Sequence, residues 1–121
     1  MKSYTDLEQS KKLAEFLPLE SADMEYMFLK EDNSKVSNIP FVKDDDEPEW
    51  PTDSAYDFIP CWSLAALLGV VPYLSLHKTF SGWRCDSYNK EGTSCILGEP
   101  LDNPVDACVE MIIKLYELNL L

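Results

Sequence analysis

The sequence predicts one α+β domain. It is a small antiparallel sheet of three to five strands, packed by a C-terminal amphipathic helix and two further helices. Three observations predict it. An apolar stripe of helical period runs from Val105 to Tyr116. Before it, the stretch from Tyr73 to Leu97 shows strand-like alternation broken by turn residues, the pattern of a β-meander. The chain has 121 residues, 45% of them hydrophobic, enough for one core without metal or disulfide staples.

The first helix is expected over residues 5–17. Thr5 followed by Glu8 fits a capping box, in which the hydroxyl takes an orphan backbone N–H and the carboxylate reaches back. Leu7, Ala14 and Leu17 share a face, and Pro18 ends the helix. Residues 22–29 put Ala22, Met24, Tyr26 and Phe28 on one side of a strand. Glu31 to Ser34 is turn-like, and Val36 to Val42 returns as a second strand that Pro40 confines to an edge.

Residues 43–57 carry two prolines, a run of acids and little periodicity, which predicts an irregular acidic loop. Trp50 is expected to pin that loop to the body. Residues 59–69 read as a short buried helix, with Pro60 in the first turn and Gly69 at the left-handed end. The meander follows as Tyr73–Phe80, a turn at Ser81-Gly82, Trp83–Tyr88, a turn over residues 89–92, and Thr93–Leu97. In the last helix Asn103 caps and Pro104 takes the first position. Its apolar stripe is expected to dock on the sheet. Asp106, Glu110, Lys114 and Glu117 form a charged row in water.

Charge is the most unusual global property. Twenty-two acids against ten Lys and Arg give a net charge of −12. Residues 31–59 hold a local −7, while residues 60–101 balance at zero. Polyphosphate binding needs the opposite sign, so no direct nucleic-acid binding and no membrane association are expected. No apolar run approaches a membrane span and no signal peptide is read, so the cytoplasm of a host cell is the expected location.

Candidate chemistry is sparse. Cys61, Cys85, Cys95 and Cys108 form no CxxC pair and read as reduced, partly buried thiols. A zinc site would draw ligands from four separate elements and lacks a close pair. Cys61 sits just inside an expected helix N-terminus, where a dipole can lower a thiol pKa, and His77 lies mid-strand. Together they are the one conceivable nucleophile and base, but core thiol and strand histidine are the preferred readings. Asp44, Asp45, Asp46 and Glu47 lack the alternating spacing of a calcium loop and read as a solvated charge run. No catalytic residues, metal or cofactor are expected.

From residue 60 onward the order helix, three strands, helix matches the topology of the double-stranded RNA-binding domain. That family grips phosphates with a basic cluster at the start of its last helix. Here residues 101–106 contain no Lys or Arg, so only the topology is expected to carry over. Residues 59–68, 82–85 and 103–115 resemble short uncharacterised proteins of prophages and mobile elements in gut anaerobic bacteria. The resemblance runs over most of the chain and is most specific at the C-terminal motif. It implies a mobile-element origin and carries no activity or site residues.

The expected function is a phage-encoded, non-enzymatic protein-interaction module. Its interaction surface is expected at Asp44, Asp45, Asp46, Glu47, Glu49, Trp50 and Tyr56. That surface suits a basic host or phage protein, or mimics nucleic acid in a basic groove. The alternative is a structural or assembly component acting as a homo-oligomer, suggested by the apolar segment Leu118 to Leu121. A Cys61–His77 enzyme stands third.

Overall fold

The computed structural model describes residues 2–43 and 56–121. Helix α1 (Leu7–Ala14) opens the fold, and a single 3₁₀ turn (Leu19–Ser21) leads into β1 (Met24–Leu29). Then come β2 (Phe41–Val42), β3 (Tyr56–Cys61) and α2 (Leu64–Val70). Strands β4 (Leu74–Thr79), β5 (Gly82–Tyr88) and β6 (Cys95–Ile96) precede helix α3 (Pro104–Glu117). The α+β class is as expected. The strands divide into two antiparallel three-stranded sheets, ordered β2-β1-β3 and β4-β5-β6.

The capping box of α1 lies one residue later than the sequence suggested. Asp6, not Thr5, is the N-cap, and Gln9, not Glu8, reaches back. Thr5 is taken by a buried polar knot instead. Its hydroxyl sits 2.7 Å from the Ser10 hydroxyl and accepts the Trp62 N–H at 3.1 Å. Its carbonyl accepts the Tyr26 hydroxyl at 2.8 Å. The side chain is fully buried and its hydroxyl is committed to Ser10 and Trp62, so the capping role falls to Asp6.

The second correction concerns residues 59–63. Ile59, Pro60 and Cys61 belong to strand β3, with Pro60 opposite Glu25 of β1. Pro60 is tolerated because β3 is an edge strand of its sheet and owes no donor on the far side. Helix α2 starts only after Ser63, whose hydroxyl accepts the Ala66 N–H. Asp23 holds Ser63 in place by accepting its backbone N–H at 2.9 Å. Gly69 lies inside α2 rather than at its end. The helix is half-buried, with only Leu67 fully enclosed. Cys61 therefore ends a strand and is not at a helix N-terminus. Likewise Tyr56 and Asp57 are paired in β3 rather than looped. The expected strand 36–42 shrinks to Phe41–Val42, and Thr93–Leu97 shrinks to Cys95–Ile96.

Element order after residue 61 follows the expectation. Helix α3 has Asn103 as N-cap and Pro104 at its first position, and its long apolar face covers β5. The main core gathers Leu13, Trp62, Leu67, Cys85, Val105, Cys108, Val109, Ile112 and Leu115. Trp62 is fully buried, and its indole N–H donates to the Ser21 hydroxyl at 3.0 Å. A smaller cluster of Tyr26, Phe28 and Cys61 lies under the first sheet. Phe16, two residues past the end of α1, stacks on Tyr116 of α3 with centroids 4.1 Å apart.

Candidate functional site

The acids Asp44, Asp45, Asp46, Glu47 and Glu49, and with them Trp50, lie outside the described residues. Tyr56 is the first residue of β3, opposite Leu29. The Cys61–His77 pairing does not form. The Cys61 thiol donates to the Thr5 carbonyl at 3.4 Å, and burial pushes its pKa up, away from thiolate chemistry. His77 sits in the other sheet. Its Nε2 meets the Ser75 hydroxyl at 2.9 Å and an Asp86 carboxylate oxygen at 3.4 Å. A nucleophilic triad needs serine and carboxylate on opposite ring nitrogens, and here both share one. Among the described residues, no three His, Cys, Asp or Glu side chains converge as metal ligands.

A groove of about 600 Å³ runs along the polar face of α3. One wall is α3 itself. Asp106, Glu110, Lys114 and Glu117 stand three or four residues apart, on one side of the helix, over about 16 Å of its length. The other wall is the segment Gly98–Leu101, and Gln9 of α1 closes one end. Ala107 and Met111, both buried, contribute to its floor.

The opposing wall is placed by an irregularity beside β5. Strand β6 pairs Ile96 with Ser87, and Leu101 then pairs with Trp83, one residue out of register. The extra residue falls between them. Trp83 and Leu101 exchange two backbone hydrogen bonds, of 2.7 and 2.8 Å. Such a bulge bends the strand away from the sheet and turns Glu99 into the groove. The bulge is held by Asp86, whose carboxylate accepts the Gly98 N–H at 3.0 Å while Arg84 grips its other oxygen at 3.0 and 3.2 Å.

The carboxylate at the Asp106 end of the groove is fully partnered. Lys2 donates to Asp106 at 2.8 Å and to Asp6 at 3.0 Å, and Gln9 and Asn103 add hydrogen bonds of 2.7 and 2.8 Å to Asp106. Burial would raise the Asp106 pKa, but these three donors outweigh it and hold the carboxyl below its ordinary value. Glu99, Glu110 and Glu117 differ. Their carboxylates make no ion pair or hydrogen bond with any described residue.

Protein families, curated proteins and solved structures give no match to this chain.

The groove thus combines three carboxylates that have no partner among the described residues with a partly apolar floor. The charged row on α3 was legible as a helical spacing. Glu99 was not, because a bulge and not a periodic element brings it opposite that row. No helix among the described residues is long and apolar enough to cross a membrane.

Proposed function

We propose that this chain is a non-enzymatic protein-interaction module that takes a cationic, partly apolar segment of a partner into the α3 groove. The observation behind this reading is the set Glu99, Glu110 and Glu117, three carboxylates without partners among the described residues around a concave, partly apolar surface. In a protein of net charge −12, the field of the whole molecule adds to theirs and draws cationic segments in. Lysine or arginine ends would pair with the acids, while aliphatic stems cover Met111 and Ile113. The absence of a relay at His77 and the raised pKa of Cys61 favour binding over catalysis.

Calorimetric titration with an amphipathic lysine–leucine peptide tests this reading. Binding is expected at low salt, weakening as salt rises. The variant E99Q/E110Q/E117Q keeps shape and removes the charge, and is expected to lose most of the affinity. Equal affinity in the triple variant and the wild type would sink the proposal.

A further inference from the structure

Strand β4 forms an outer edge of the second sheet. The Tyr88 N–H donates to the Tyr73 carbonyl, so Tyr73 points its backbone toward β5. The two-residue alternation of an antiparallel ladder then turns Ser75, His77 and Thr79 inward as well. Leu74, Leu76 and Lys78 are left with both N–H and C=O facing away from the sheet. No hydrogen bond links that edge to any other described segment. Edges are normally blunted by charge, proline, bulges or a covering element, and among the described residues β4 has only the charge of Lys78. At its two ends stand exposed aromatics, Tyr73 (52%) and Phe80 (108%, fully in water).

We propose that β4 pairs antiparallel with β4 of a second copy, giving a two-fold dimer with a continuous six-stranded sheet. The occupant is argued from self-complementarity. With the two-fold axis at Leu76, Leu76 meets its own equivalent and Leu74 meets Lys78, so all the outward N–H and C=O groups are used. The same register puts Phe80 of one copy beside Pro72 and Tyr73 of the other, covering both exposed aromatics twice over. His77 lies opposite Ser75, so no like charges face each other directly. The edge also lies in the one stretch, residues 60–101, whose charge balances, so two anionic bodies approach where repulsion is weakest. This interface is separate from the α3 groove.

Sedimentation, with a reductant present to silence Cys95, and concentration-dependent amide exchange test the proposal. Wild type is expected to dimerise. As concentration rises, the amides of Leu74, Leu76 and Lys78 are expected to gain protection, while those of Ser75, His77 and Thr79 stay unchanged. Lys78→Pro removes an outward donor that β5 does not use, and Phe80→Asp alters a side chain exposed in the single copy. Each is expected to weaken association about tenfold or more. If circular dichroism shows that the proline variant is misfolded, Phe80→Asp decides alone. A single 13.8 kDa species at millimolar concentration would overturn the proposal. So would a dimer of undiminished strength in Phe80→Asp. Peptide binding by E99Q/E110Q/E117Q has no bearing on either result.

Discussion

Asp86 accepts the backbone N–H of Gly98 at 3.0 Å, although the two residues belong to different segments and the carboxylate is fully buried. That bond fixes the wall of the groove opposite α3. Its partner on the other side, Arg84, keeps the charge compensated. One side chain in the sheet therefore sets the shape of the groove along α3.

Removing that carboxylate leaves Arg84 and the Gly98 amide without their acceptor. Asp86→Ala is expected to cost about 3 kcal/mol in urea unfolding, since a buried pair broken on one side leaves an uncompensated group. Peptide affinity at the groove is expected to fall with it, although Asp86 does not line the groove. Wild-type stability in the variant would disprove the anchoring role.

The glycines sort by what surrounds them. A Cβ at Gly98 would stand 2.2 Å from the Cys85 carbonyl, and one at Gly82 2.5 Å from that of Leu101, with φ at +139°. Both obstacles are backbone, so Gly98→Ala and Gly82→Ala are each expected to cost about 2 kcal/mol or more. Gly69 is helical with open space around it, so Gly69→Ala is expected to stabilise by about 0.5–1 kcal/mol. Chemical denaturation of the three variants checks the order.

The knot around Thr5 predicts a cost for an isosteric change. Thr5→Val keeps the volume but strips the Trp62 amide and the Ser10 hydroxyl of a buried partner. A loss of about 2 kcal/mol is expected, and unchanged stability would count against the knot.

Acid sensitivity has a defined origin. Burial raises and hydrogen bonding more strongly lowers the pKa values of Asp6 and Asp106, leaving both below 3.8 in the folded chain. Their contribution is complete above 3.8 and drains away as pH falls through the lower folded values. Lys2 shifts upward, since its two acidic partners outweigh burial, so its share persists below 10.5 and is lost as pH climbs through the raised value. The stability gap between wild type and Asp106→Asn is expected to be widest near neutrality and to close below pH 3.8.

Thiol titration offers a direct check on packing. Cys95 is exposed, whereas Cys61, Cys85 and Cys108 are buried. One thiol is expected to react quickly with an aromatic disulfide reagent under native conditions, and the other three only after unfolding. The reactive one should vanish in Cys95→Ser.

Much of this architecture was legible where local signals agree. Asn103-Pro104 followed by a long apolar stripe admits only one reading, and α3 follows it. The alternation around β4 and β5 likewise fixes the hairpin. Residues 59–63 were misread because Pro60 suits a helix start as well as an edge strand, and pairing with β1, an event remote in sequence, decides between them. Thr5 was misassigned for a similar reason, since its hydroxyl is taken by Ser10 and by Trp62, a partner remote in sequence. The charged row of α3 follows from spacing alone, while Glu99 enters the groove through a bulge that no periodicity announces.

Lys2 meets Asp106 across 104 positions of the chain, and Phe16 stacks on Tyr116. The N-terminal segment around helix α1 thus lacks these partners until α3 has been synthesised. A chain truncated before residue 104 also loses the α3 share of the main core, so it is expected to show no cooperative urea transition and to be cut rapidly by added protease.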